Sequence, residues 1–82
     1  MYAVIMSRPA RKQLNKIEPQ TRERLQRAID ALCDDPRPPG VKKLIDQEVW
    51  RVRVGDYRVL YEIEDDKLIV VVIAATHRSE SY

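Results

Sequence analysis

At 82 residues, 44% apolar and 34% charged, the chain is expected to form one domain over residues 1–82, near the lower size at which a hydrophobic core suffices without disulfides or metal. No apolar run approaches the roughly 20 residues that span a bilayer, and the apolar start MYAVIM has its charges after it rather than before it, unlike a signal peptide, so a cytoplasmic protein is expected. Cys33 is the only cysteine, which excludes an internal disulfide and a cysteine-based zinc site, and no other residues resemble a metal site; neither metal nor cofactor is expected.

The net charge of +2 is unevenly spread: residues 1–40 hold eight Lys/Arg against five Asp/Glu, and residues 41–82 hold seven against eight. A basic first half suits contact with a phosphate backbone without requiring it, and a solvated helix surface accounts for it more simply.

In chain order, residues 2–6 (YAVIM) have β-type composition and predict a first strand. Ser7 or Arg8 before Pro9 marks a helix start, because the missing N–H of proline costs nothing in a first turn. Ala10, Leu14 and Ile17 form one helical stripe. Pro19 ends that helix and opens a second, in which Leu25, Ala28, Ile29 and Leu32 share a face while Arg22, Glu23, Arg27 and Asp30 lie largely away from it. Cys33, among apolar positions, reads as a buried, inert thiol.

The stretch DDPRPPG at 34–40 stops the second helix and makes an extended connector. Beyond it the chain reads as strand. Trp50, Val52 and Val54 alternate with Arg51 and Arg53, Gly55-Asp56 is a two-residue hairpin loop, and Tyr57 to Ile63 is the partner strand. After the acidic turn EDDK, the unalternating run LIVVVIAA at 68–75 suits a central strand covered on both faces. The order β-α-α-β-β-β predicts an α+β fold, with a helical hairpin packed on one face of a mainly antiparallel four-stranded sheet.

With Gly55-Asp56 as the loop, Val54 faces Tyr57, Arg53 faces Arg58, Val52 faces Val59, Arg51 faces Leu60 and Trp50 faces Tyr61. The face holding Trp50, Val52, Val54, Tyr57, Val59 and Tyr61 suits the core. The opposite face gathers Arg51, Arg53 and Arg58, and like charges directly opposite each other destabilise by up to about 1 kcal/mol. Two sources of neutralising charge are open. Glu62, diagonal to Arg51, with Glu48 or the C-terminal carboxylate, would make ordinary exposed ion pairs. Alternatively the face is a phosphate site, with arginine chosen for its planar bidentate fork.

The tail THRSESY follows the last predicted strand and holds the only histidine, His77, then Arg78 and Tyr82. A lone histidine is most often a surface or capping residue. Beside a basic sheet face, however, His, Arg and Tyr are the equipment for metal-free RNA cleavage. Attack of a 2′-hydroxyl on its own phosphate needs a base, cations for the developing phosphorane charge and an acid for the leaving 5′-oxygen.

Over nearly the whole chain, through KKL at 42–44, WRVRVGDYRVLYEI at 50–63 and HRSESY at 77–82, the sequence resembles the RelE family of toxins within the RelE/ParE superfamily. The resemblance implies a microbial-RNase-like fold, a toxin of a type II toxin–antitoxin system, and a ribosome-dependent endonuclease that cuts mRNA in the A site and inhibits translation. It also implies a cognate RelB-like antitoxin, with the ribosome and mRNA as further partners. By the same resemblance, the transition-state arginine falls on Arg58, the basic residues of the second strand on Arg51 and Arg53, the proposed general acid on Arg78, and the substrate-stacking aromatic on Tyr82. Lys42 and Lys43 join the RNA-binding set.

Well-known members carry lysines where this chain has Arg51 and Arg53, and a lysine there has been proposed as general base. Arginine, effectively always protonated, cannot take that part and is left with electrostatic stabilisation. For proton transfer there remain His77, of the one type that titrates near neutrality unperturbed, Glu62 on the arginine face, and more remotely Lys42 and Lys43; His77 is favoured. The alternatives to a nuclease are a ParE-like inhibitor of DNA gyrase with the same fold, or a non-catalytic toxin that only binds.

Overall fold

The structure, a computed structural model, describes residues 1–80. Along the chain it runs β1 (Ala3–Met6), α1 (Arg8–Asn15), α2 (Pro19–Ala31), β2 (Lys42–Lys43), β3 (Trp50–Val54), β4 (Tyr57–Glu64), β5 (Ile69–His77) and a terminal 3-10 turn, Arg78–Glu80. Both helices begin on side-chain caps: the Ser7 hydroxyl accepts from the Ala10 N–H at 3.3 Å, and the Glu18 carboxylate accepts from the Thr21 N–H at 2.8 Å and its hydroxyl at 2.6 Å. Pro9 and Pro19 sit in the first turns, where no intrahelical donor is lost.

The sheet has five strands in the order β1-β5-β4-β3-β2, with β1 parallel to β5 and every other pair antiparallel. It therefore has one strand more than the four expected. The extra one, β2, is two residues long, too short to show any alternation in the sequence. The β3–β4 hairpin has the predicted register, from Trp50 opposite Tyr61 to Val54 opposite Tyr57. Gly55 takes φ 62° at the first loop position, where a side chain would be strained.

Ala10, Leu14 and Ile17 from the first helical segment and Leu25, Ile29 and Leu32 from the second pack on Val59, Tyr61, Val70, Val72 and Ala75 of the sheet. Tyr61 is fully buried, its hydroxyl donates to the Pro36 carbonyl at 2.7 Å, and burial pushes its pKa up to about 12. Cys33 is only half-buried, because it lies past the end of α2 rather than on its packed face.

Strand β5 carries a bulge at Ile73: Leu60 pairs with Ala74 but Tyr61 pairs with Val72. Two groups, one from the Ser7 cap and one from the last turn of α1, serve this region, where β1 has already ended. The Ser7 hydroxyl donates to the Ile73 carbonyl at 3.2 Å, and the Gln13 side-chain oxygen accepts from the Ala75 N–H at 2.7 Å. They satisfy backbone groups that would otherwise be left without a strand partner.

At the opposite end, Arg37 of the connector donates twice to the Asp65 carboxylate, at 3.2 and 2.9 Å, and the Tyr2 hydroxyl donates to the same group at 2.6 Å. The Arg37 guanidinium also lies 4.9 Å from the Trp50 ring centroid. These contacts tie connector, acidic turn and N-terminal segment together, and the donors hold the Asp65 pKa down to about 2.

Candidate functional site: a basic sheet face

The core takes Val52, Val54, Val59 and Tyr61 on the helix side, so the pleat turns their neighbours to the other side. Two rungs of that face carry its charge. One runs Lys42–Arg51–Leu60–Ala74 across β2, β3, β4 and β5, and the next runs Arg53–Arg58–Thr76. Arg51 and Arg58 are half-buried, whereas Lys42 and Arg53 are exposed.

Among the described residues no carboxylate pairs with this cluster; the C-terminal carboxylate lies outside them. Among the described residues the acidic ion-pair partners go elsewhere: Glu48 to Lys43 at 2.6 Å, Asp65 to Arg37, Glu23 to Arg27, Glu64 to Lys67, and Asp56 to Arg78. Glu62 lies on the arginine face opposite Val71 and makes no ion pair among the described residues. It is four residues along β4 from Arg58, about 13 Å at strand rise. Among the described residues the buried Nε of Arg58 has no hydrogen-bond partner, an unsatisfied donor of the kind that folded proteins generally avoid.

A pocket of ≈ 420 Å³ opens on this face, lined by Arg51, Arg58 and Thr76 together with the apolar Val49, Leu60 and Ile73. Its other lining residues, Leu44 and Gln47, come from the loop joining β2 to β3, which closes through a Leu44 N–H to Val49 carbonyl bond of 2.8 Å. Sequence reasoning missed Thr76 and this loop. The alternation that exposes Arg51 and Arg53 says nothing of what crosses in front of them.

The expected site residues divide. Lys42, Arg51, Arg53 and Arg58 share the face. Arg78 stands at its hairpin end, two residues past Thr76: its N–H donates to the Asp56 carbonyl at 2.8 Å and its Nε lies 3.8 Å from the Asp56 carboxylate. Lys43 is opposite Trp50 on the other face and pairs with Glu48. Tyr82 lies outside the described residues.

His77 is not brought to the arginines. It pairs with Tyr57 in the ladder, on the helix side of the sheet, and the two rings meet edge to face at 5.1 Å. The bulge at Ile73 is the cause. If the register that pairs Glu64 with Ile69 ran on unbroken, Arg58 would face Ala75 and His77 would share its side; one inserted residue turns His77 away and brings in Thr76.

The face is thus a set of fixed cations around an apolar-floored pocket, suited to holding a phosphodiester and stabilising charge that builds on it. Among the described residues no group of three or more His, Cys, Asp or Glu could hold a metal ion, and no helix is long and apolar enough to cross a membrane.

Comparison with known proteins bears on the fold and the family. A RelE-like toxin protein of Escherichia coli is 24% identical over 82 residues, covering 98% of this chain and 86% of that one. A chain of the toxin–antitoxin complex RelBE2 of Mycobacterium tuberculosis superposes with a TM-score of 0.84 at 29% identity, over 94% of this chain and 98% of that one. A chain of the archaeal RelE–RelB complex of Pyrococcus horikoshii does so with a TM-score of 0.85 at 24% identity, over 98% of each. The family model of the ParE toxin of type II toxin–antitoxin systems matches residues 4–82. The chain therefore belongs to the ParE toxin family and, with these RelE relatives, is a type II toxin of the RelE/ParE superfamily.

Proposed function

We propose that this toxin is a metal-independent endoribonuclease that cuts mRNA in the ribosomal A site and so stops translation in the cytoplasm. The observation that carries the reading is the unneutralised cluster: Arg51, Arg53 and Arg58 lack carboxylate partners among the described residues, and the buried Arg58 Nε lacks any. An RNA phosphate supplies the missing acceptor.

In the reaction, the 2′-hydroxyl oxygen attacks the adjacent phosphorus and the bond to the 5′-oxygen breaks, leaving a 2′,3′-cyclic phosphate and a 5′-hydroxyl. Arg58 stabilises the phosphorane, while Lys42, Arg51 and Arg53 hold the flanking backbone. In this reading Arg78 is assigned to the leaving 5′-oxygen, and Tyr82 to stacking on a base. Of the carboxylates nearest this face, Asp56 is paired with Arg78 and Glu62 lies about 13 Å along β4 from Arg58, so neither is given the part of base. The protein's contribution is therefore electrostatic, and the ribosome and the geometry of the bound mRNA activate the 2′-hydroxyl. Removing one such preorganised donor costs about 10²–10³ in rate.

The partner that masks the toxin is a RelB-like antitoxin. The relatives from M. tuberculosis and P. horikoshii are found in complexes with antitoxins, and a surface of mutually repelling arginines gains electrostatic energy when acidic groups cover it.

A second reading, inhibition of DNA gyrase by binding, is favoured by the ParE description of the matching family. Growth inhibition by the doubly substituted Arg58→Ala/Arg78→Ala protein separates the two. Loss of toxicity, together with unchanged gyrase supercoiling in the presence of wild-type protein, supports the nuclease. Retained toxicity and blocked supercoiling support the gyrase inhibitor.

A further inference from the structure

We propose that His77 is a positioning residue, whose Nδ1 shapes the turn that presents Arg78, and that it transfers no proton in the reaction. The Ser79 backbone N–H donates to His77 Nδ1 at 3.1 Å, and the Ser79 hydroxyl lies 2.8 Å from the same atom. A backbone N–H can only donate, so Nδ1 is the acceptor and the neutral ring carries its hydrogen on Nε2.

A side-chain acceptor bonded to the N–H two residues on is the connectivity of an Asx turn, here built with imidazole in place of an Asn or Asp oxygen. The residue enclosed by that turn is Arg78. Its own N–H is bound to the Asp56 carbonyl at 2.8 Å, so the turn and the β3–β4 loop together fix where its guanidinium starts. The ring also meets Tyr57 edge to face. Its pairing with Tyr57 puts His77 on the helix side of the sheet, while Arg58 and Thr76 form the adjoining rung on the far side. The imidazole therefore braces the site from behind.

The activity arm of the test rests on the nuclease reading. Ribosome-dependent mRNA cleavage is measured for His77→Asn, His77→Phe and His77→Ala beside wild type. Asparagine places an oxygen near the Nδ1 position and closes a true Asx turn, but does not titrate. Phenylalanine keeps the ring on Tyr57 and removes the acceptor. Positioning predicts near wild-type cleavage for H77N and a loss of about tenfold for H77F and H77A, the size of one hydrogen bond. Equal and severe loss in all three, H77N included, overturns it in favour of proton transfer.

Hydrogen exchange at the Arg78 and Ser79 amides provides an arm independent of activity. Protection is expected to persist in H77N and to fall in H77F and H77A. Unchanged protection in H77A overturns the proposal, and this arm still decides if wild-type protein cuts nothing and the nuclease reading fails.

Discussion

Arg53 stands directly opposite Arg58 across the β3–β4 hairpin, and no carboxylate among the described residues pairs with either guanidinium. The pair opposes folding rather than supporting it. Replacing the exposed Arg53 with threonine, a good strand former, is expected to stabilise the fold by about 0.5–1 kcal/mol at low salt. Urea denaturation measures this, and the gain is expected to shrink as salt screens the wild-type repulsion. Cleavage should weaken at the same time, because Arg53 is one of the cations proposed to hold RNA.

Arg58 tests the same opposition at a less exposed position. Its Nε is buried without a partner, so Arg58→Met keeps much of the apolar stem and removes an unsatisfied donor, leaving stability unchanged or raised. Cleavage on ribosomes is expected to fall by about 10²–10³. A variant that folds as well as wild type and cannot cut would identify Arg58 as a residue kept for function.

The Asp65 clamp sets an acid limit on stability. Donors from Arg37 and Tyr2 lower its pKa from the usual 3.8 to about 2, so the folded state holds the carboxylate charged where the unfolded chain already binds a proton. Its contribution is complete above the unfolded value and is lost as pH falls from about 4 towards 2. Asp65→Asn should lower stability at pH 7 and flatten this part of the acid limb, as measured by urea denaturation at pH 7 and pH 3.

Masking by an antitoxin carries a salt signature. If acidic groups cover the Arg51, Arg53 and Arg58 face, the affinity of the purified complex should fall as salt rises, chiefly through slower association. Arg51→Gln should reduce that dependence, and titration calorimetry at two salt concentrations checks it.

Much of this arrangement was legible in the sequence. Pro9 and Pro19 marked the helix starts, the alternation from Trp50 to Val54 marked the buried face, and Gly55-Asp56 fixed the hairpin register that puts Arg53 against Arg58. What was not legible depended on a single inserted residue. The run from Leu68 to Ala75 has no alternation, so nothing in it signals that Ile73 is a bulge, and without the bulge His77 would stand on the arginine face. Likewise β2 has too few residues for a pattern. Its pairing assigns Lys42 to the arginine face and Lys43 to the other, a division that two adjacent lysines cannot reveal on their own.

The central claim is tested most directly by adding purified protein to stalled ribosomes carrying a defined mRNA, with naked mRNA in parallel, and mapping the new 5′ ends. The nuclease predicts cleavage confined to the A-site codon on ribosomes, with 5′-hydroxyl ends, and its loss in Arg58→Met. Intact mRNA in both reactions, from folded wild-type protein, would contradict it.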